Sequence, residues 1–214
     1  MAIPFAELNK INPSSYIELF ELNLTVGLHI AEGNPQNLPT IYRFHAGANL
    51  NNFGEIKYRT NSYQRIFVDM QGFEKQSTGT IARPVITFSN LGGLVYNDET
   101  GLIITMSDFL FLVNQVTPNN DLVGAKVTRK MPLASSLDDS NFINNSNPFN
   151  TGVDTTEGLE DRLKDEIFVI DRKAAESRTS IQFELTAAHD LENLEIPKRV
   201  ITRELFPAVG TFIQ

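Results

Sequence analysis

Apolar and polar residues alternate along most of the chain, and this pattern predicts strands. Successive side chains of a strand point to opposite faces, so a strand with one buried face shows a period of two. The clearest case is residues 179–186, where apolar and polar positions alternate strictly. The other predicted strands are residues 16–24, 41–45, 55–59, 64–70, 83–90, 125–133 and 166–171. The pattern therefore predicts a mainly β fold.

Two short segments carry a helical pattern instead. Phe5, Leu8 and Ile11 follow one another at three-residue intervals and are followed by Pro13, which predicts a short helix that packs against something else. Ser107 can cap a second helix over residues 108–113, because a serine hydroxyl accepts from a free N–H group of the first turn. The apolar residues 109–112 of this helix face either the core or a partner, and the core is the more common arrangement.

Stretches of turn-forming residues divide the chain. Residues 138–158 are dense in Asn, Ser, Thr, Asp and Gly, which predicts a long surface loop. A faint echo between residues 83–88 and 178–183 would fit two related β lobes. The expected organisation is an N-terminal arm (1–13), a first β lobe (14–95), a helical connection (96–120), a second β lobe (121–204) that contains the long loop, and a C-terminal tail (205–214).

Composition narrows the classes of function. The chain has 18 basic and 26 acidic residues and a formal charge of −8, which disfavours a nucleic-acid backbone as the principal ligand. It has no cysteine, which excludes disulfides, thiolate metal sites and cysteine nucleophiles. The first residues resemble no secretory signal, and the most apolar stretch, residues 102–116, is too short to cross a membrane. Synthesis in the cytoplasm and no membrane insertion are expected.

The candidate metal ligands lack the spacing that metal sites need. His29, His45 and His189 lie far apart in the sequence and are expected to be structural or exposed to solvent. Residues 138–141 (Asp-Asp-Ser-Asn) suggest a calcium loop, but the required glycine and the later glutamate are missing. The interpretation that remains is a solvated loop, and no metal site is predicted.

One acidic cluster offers an alternative chemistry. Paired carboxylates hydrolyse glycosidic bonds, but here they are interleaved with Arg162 and Lys164, as in an ordinary charged surface. Asn23 and Asn144 begin glycosylation patterns that have no consequence without a secretory signal. No catalytic or cofactor-binding residue is predicted. The carboxylates of the cluster are Glu157, Glu160, Asp161, Asp165 and Glu166.

Several phrases in a fixed order resemble the minor tail protein L family of lambda-type long-tailed phages. They are residues 17–25 (IELFELNLT), 42–47 (YRFHAG), 72–74 (GFE), 83–94 (RPVITFSNLGGL), 121–130 (DLVGAKVTRK), 137–142 (LDDSNF), 170–173 (IDRK) and 196–199 (IPKR). Each phrase is a strand or turn fragment, but their order is fixed, and the resemblance extends from about residue 14 to about residue 203. The resemblance identifies the chain as a member of this family.

The resemblance implies a structural, non-enzymatic protein of the virion, located at the tail tip. It implies a β-barrel hub fold and a homotrimeric ring between the distal tail protein and the central receptor-binding hub protein, with phage DNA passing through without specific binding. An acidic lumen would repel DNA over about 8 Å at physiological salt. We also expect the arm 1–13 and the loop 138–158 to become ordered against neighbouring subunits.

The chain departs from the family near its end. Family members continue into a segment that opens with Cys-Pro-Trp and is associated with an iron–sulfur cluster. Residues 205–208 here read Leu-Phe-Pro-Ala, with Phe206 at the place of the expected thiolate. Since such clusters are held mainly by cysteine thiolates, the resemblance brings no cofactor to this chain.

Two other classes of function stay open at this stage. The first is a tail-associated cell-wall hydrolase that uses carboxylates within residues 157–166, which a zymogram on peptidoglycan would reveal. The second is a receptor- or carbohydrate-binding module, which would need exposed aromatic residues. The chain has no Trp and only five Tyr, which disfavours the second class.

Overall fold

The computed structural model describes residues 11, 14–46, 55–73, 83–91, 93–97, 101–148 and 162–187, and this part of the chain is mainly β, as predicted. It contains one α-helix, Met106–Val116, and three short 3₁₀ turns, Ala134–Ser136, Asp139–Asn141 and Ile143–Asn145. The strands in these residues are β1 (Leu19–Asn23), β2 (Ile41–His45), β3 (Ile56–Tyr58), β4 (Asn61–Arg65), β5 (Val68–Gln71), β6 (Val85–Ser89), β7 (Leu94–Asn97), β8 (Leu102–Ile104), β9 (Lys126–Lys130), β10 (Glu166–Glu176) and β11 (Ser180–Thr186).

Nine of these strands form one sheet in the order β3-β4-β2-β1-β9-β10-β11-β6-β5, and β7 and β8 form a separate pair. Neighbouring strands of the large sheet are antiparallel except β2 and β4. Strands from both predicted lobes interleave, because β1 pairs with β9 and β6 pairs with β11. Among the described residues, the helical connection therefore does not separate two sheets.

The large sheet is strongly curled. Strands β2 and β6 stand five places apart in the order, which would be roughly 24 Å on a flat sheet with strands about 4.8 Å apart. Yet the rings of Phe44 on β2 and Phe88 on β6 have centroids 5.6 Å apart. The ring of Phe183, on the neighbouring strand β11, has its centroid 6.1 Å from that of Phe88. The concave face thus encloses a core filled with side chains.

Two residues join strands from opposite parts of the sheet. Sequence alternation predicts one strand over residues 64–70, but the structure divides it at Ile66 and Phe67 into β4 and β5. The Ile66 N–H donates to the carbonyl of His45 at the end of β2, at 3.2 Å. The Phe67 carbonyl accepts from the N–H of Ser89 at the end of β6, at 2.8 Å. The strand order itself is open, so the two predicted barrels stay a prediction.

The helix Met106–Val116 begins two residues earlier than predicted. Thr105, not Ser107, is the cap: its hydroxyl accepts from the Asp108 N–H at 3.1 Å, and the Asp108 carboxylate accepts from the Thr105 N–H at 3.3 Å. This reciprocal pair satisfies two donors that a helix start leaves open. Phe109 and Leu110 are buried, as expected for a helix facing the core, whereas Phe111 is 64% exposed.

In the described residues, no helix is both long enough and apolar enough to cross a membrane.

Candidate functional site

The two described histidines are buried parts of the fold. The Nδ1 atom of His29 accepts from the Thr25 N–H at 3.0 Å, so its Nε2 carries the proton and donates to the Val123 carbonyl, also at 3.0 Å. Burial lowers the pKa of His29, although the hydrogen bond to Val123 opposes this shift. His45 is fully buried on β2. His189 lies outside the described residues.

Two of the five carboxylates of the predicted acidic cluster, Asp165 and Glu166, belong to the described residues. Asp165 lies 3.3 Å from the Nε of Arg162. Glu166 lies 3.0 Å from Arg129, whose guanidinium also binds Glu18 and lies over the ring of Phe73 at 4.2 Å. These two carboxylates therefore pair with the chain's own cations. Glu157, Glu160 and Asp161 lie outside the described residues, so the structure does not bring together the five members of the predicted cluster.

Residues 138–148, the first half of the predicted loop, are held by the chain itself. The Asp138 carboxylate accepts from the N–H groups of Arg59 and Thr60, both at 2.8 Å, at the turn between β3 and β4. Asn141 is 1% exposed, and its side chain accepts from the Lys57 N–H at 2.7 Å and donates to the Lys57 carbonyl at 2.6 Å. We expected neighbouring subunits to order this segment, and for these residues that prediction is wrong. They already bind β3, the outermost strand of the sheet, within the single chain. Residues 149–158 lie outside the described part.

Replacing Asn141 by Ala should lower the free energy of unfolding by about 2 kcal/mol, because the β3 backbone would lose two partly buried hydrogen bonds of about 1 kcal/mol each. Urea denaturation measures this difference. Ser146→Ala changes an exposed residue of the same segment and should stay within about 0.5 kcal/mol of the parent. Equal stability of the two variants would contradict the stabilising role of the bonds between Asn141 and Lys57.

A buried charge network lies on the convex face of the sheet. Glu21 on β1 is 7% exposed and accepts from the Tyr63 hydroxyl at 2.8 Å. The Glu21 carboxylate lies 2.8 Å from the Nζ of Lys130 and 3.4 Å from the Nε of Arg43. Burial raises the pKa of Glu21, but the bonds from Lys130 and Tyr63 and the two positive charges outweigh it and lower that pKa below its ordinary value. The network fixes the β3–β4 hairpin on β1 and β2.

The burial of Glu21 was not predicted from the sequence, because the alternating pattern places this residue on the solvent-exposed face of the strand. The available signal was the neighbouring pair Leu19 and Phe20, which breaks the alternation. Two consecutive apolar residues in a strand indicate that both faces are covered. Leu19 indeed packs into a second cluster with Ile56, Tyr58, Tyr63 and Leu137, on the face opposite the main core.

A surface groove of about 250 Å³ lies between the loop 29–38 and the helix. Its lining includes Leu24, Tyr42, Phe109 and Val116, so it is mainly apolar. A second groove, of about 370 Å³, is lined mostly by polar residues around β4 and by Arg43. In the described ranges there is no group of three or more His, Cys, Asp or Glu side chains placed to hold a metal ion.

Five of the polar residues singled out for chemistry bind the protein's own backbone or charges, which is typical of a structural protein: His29, Asp138, Asn141, Asp165 and Glu166. The family model of phage minor tail protein L matches residues 37–209, which is most of the chain. The chain therefore belongs to the phage minor tail protein L family, and it is a structural component of a phage tail. No curated protein matches the chain significantly.

Proposed function

We propose that this chain forms a homotrimeric hub ring at the tail tip, between the distal tail protein and the central receptor-binding hub protein. The observation that carries the proposal is the family match over residues 37–209. Its function then lies in its interfaces and not in catalysis, and phage DNA passes through the ring without specific binding.

The interior of each subunit is filled with side chains, which supports a DNA channel formed between subunits and not within one. Phe20, Leu22, Phe44, Phe88 and Phe183 are each at most 1% exposed and occupy the concave side of the sheet. Small barrels of about eight strands are filled by their own side chains, so a channel wide enough for DNA needs several copies around an axis. Within each copy, the hydrogen bonds of Ile66 and Phe67 to β2 and β6 support a barrel-like closure.

Several exposed apolar side chains could form the interfaces between the subunits of the ring. Phe67, Leu91, Ile103, Phe111 and Ile143 are between 61% and 88% exposed in the single chain. Permanent assemblies bury large interfaces with apolar centres, so residues of this kind are expected to become covered in the ring. The net charge of −8 suits a lumen that does not retain DNA.

Imaging of intact tails at side-chain resolution tests this proposal. The expected map has three copies in one ring, located between the distal tail ring and the central hub, with acidic side chains in excess on the lumen surface. Copies distributed along the tail tube, or a ring with a different number of copies, would contradict the hub assignment. A trimer whose lumen is basic would contradict the proposed acidic lining of the lumen but not the trimeric hub ring.

A further inference from the structure

The side chain of His29 joins two turns that lie far apart in the sequence. One is formed by residues 25–30, which follow β1, and the other by residues 117–124, which connect the helix to β9. The His29 ring accepts from the Thr25 N–H in the first turn and donates to the Val123 carbonyl in the second, both at 3.0 Å. His29 is only 2% exposed, so these two backbone groups take the place of water at both ring nitrogens.

Two further contacts hold the same turns against each other at Leu28. The Thr117 hydroxyl donates to the Leu28 carbonyl, at 2.8 Å. Gly124 has a positive φ of 87°, and a Cβ atom at this position would lie 3.4 Å from the Leu28 side chain. The bond between His29 and Thr25 lies within the first turn, so its loss would open that turn without separating it from the second.

Protonation of the His29 ring is incompatible with one of its two hydrogen bonds. An imidazolium carries a hydrogen on both nitrogens and accepts no hydrogen bond. Its Nε2–H can still donate to the Val123 carbonyl, but its Nδ1–H would point at the Thr25 N–H, so two donors would face each other. The positive charge would also be buried, which is unfavourable without a negative partner. The ring can therefore take up a proton only if it separates from Thr25.

No ionised side chain in the described part of the chain shifts the pKa of His29. Burial lowers this pKa, and the bond to the Val123 carbonyl raises it by a smaller amount. The other titratable groups around the two turns are phenols that stay neutral in acid, an exposed carboxylate and an ion pair: Tyr42 and Tyr96, Glu32, and Asp121 with Lys173. None of these groups supplies a negative partner for a protonated ring.

We propose that His29 is an acid-sensitive latch, whose neutral ring holds the turn 25–30 closed and whose protonated ring releases Thr25 and opens this turn while the sheet stays folded. The pKa of His29 in the closed turn lies below its ordinary value of 6.5, so the open turn takes up the proton first. The latch is therefore fully effective above pH 6.5 and weakens as the pH falls below it. One proton raises the equilibrium constant for opening by at most about tenfold per pH unit. The latch does not depend on the proposed trimeric ring.

Amide hydrogen exchange of the full chain, resolved by residue and corrected for the intrinsic exchange rate at each pH, tests this latch. Protection of the Thr25 N–H should be constant above pH 6.5 and should fall by up to about tenfold per pH unit below it. The Leu185 N–H, which donates to the Pro84 carbonyl at 2.8 Å, reports on the sheet and should keep its protection over the same range.

Two variants separate the His29 ring from other titrating groups. In His29→Asn, the side-chain oxygen can accept from the Thr25 N–H but takes up no proton, so protection of this N–H should not change with pH. Glu32→Gln removes the exposed carboxylate that lies three residues further along, and it should keep the pH dependence of the parent.

Nitrogen NMR of the histidine rings tests the latch in the parent protein without any substitution. The His29 ring should be the neutral Nε2–H form above pH 6.5, and it should take up its proton over the range in which Thr25 loses protection. A ring that is protonated while Thr25 stays protected would overturn the latch, as would a pH dependence that persists in His29→Asn. Parallel loss of protection at Leu185 would show that acid unfolds the sheet, and this result would also overturn a local latch.

Discussion

Replacement of Glu21 by Gln should lower the free energy of unfolding by about 3 kcal/mol at neutral pH, because it leaves two cations without their buried partner. Lys130 and Arg43 both point at this carboxylate, and their side chains are only 18% and 27% exposed. The Gln side chain has nearly the same shape and can still accept from the Tyr63 hydroxyl, so packing changes little. Urea denaturation of the two proteins measures the difference.

The same variant should also change the pH dependence of stability. The pKa of Glu21 in the folded protein lies below its ordinary value of 4.5. Its stabilising contribution is therefore present above that value and is lost as the pH falls through the lower, folded pKa. The stability difference between parent and Glu21→Gln should shrink steadily below pH 4.5.

Asp171→Asn is the matched control for this pair of measurements. Asp171 lies 3.9 Å from Arg83, and both side chains are well exposed, at 43% and 58%. Exposed ion pairs contribute about 0 to 1 kcal/mol, so this variant should remain close to the parent. If Asp171→Asn lost as much free energy of unfolding as Glu21→Gln, the loss would come from removing one negative charge and not from breaking the buried network.

Phe88→Ala should lower the free energy of unfolding by about 4 kcal/mol, because it opens a cavity at the centre of the core. The Phe88 ring on β6 contacts Phe44 on β2, five places away in the sheet order, and Phe183 on the neighbouring strand β11. Denaturant unfolding measures the loss, and near-ultraviolet circular dichroism reports whether the remaining aromatic packing persists.

Phe67→Ala provides the comparison with the same change of residue type. Phe67 lies on the neighbouring strand connection and is 65% exposed. Its removal from the isolated subunit should change the free energy of unfolding by no more than about 0.5 kcal/mol. If the two alanine variants lost equal stability, the curled arrangement that buries Phe88 would be contradicted.

Local pattern was sufficient to predict most of the strands. Residues 41–45 match β2, and residues 179–186 match β11 to within one residue, because alternation directly reflects one buried and one exposed face. The pair β7 and β8 was missed, because the helical connection was predicted from residue 96 onward and includes β8 and the end of β7. Its exposed residues Leu102 and Ile103 break the expected alternation of burial.

The arrangement of the strands could not be predicted in the same way. Pairing of β1 with β9 and of β6 with β11 depends on contacts between distant parts of the chain, which no window of ten residues contains. The roles of Asp138 and Asn141 were missed for the same reason. Their partners, Lys57 to Thr60, lie about 80 positions away in the sequence. A polar side chain looks the same in sequence whether it meets water or a distant N–H group.

The pairing of β1 with β9 also has a consequence for synthesis. Glu21 opposes Thr128, so the N-terminal strand meets this neighbour only after more than 100 further residues have been made. The next strands of the sheet, β10 and β11, follow even later and end at Thr186. Pairings over such distances slow folding, since a long loop must close before the contact forms. The sheet is thus expected to assemble late, once the ribosome has released most of the chain, and a fragment that ends near residue 120 should not fold.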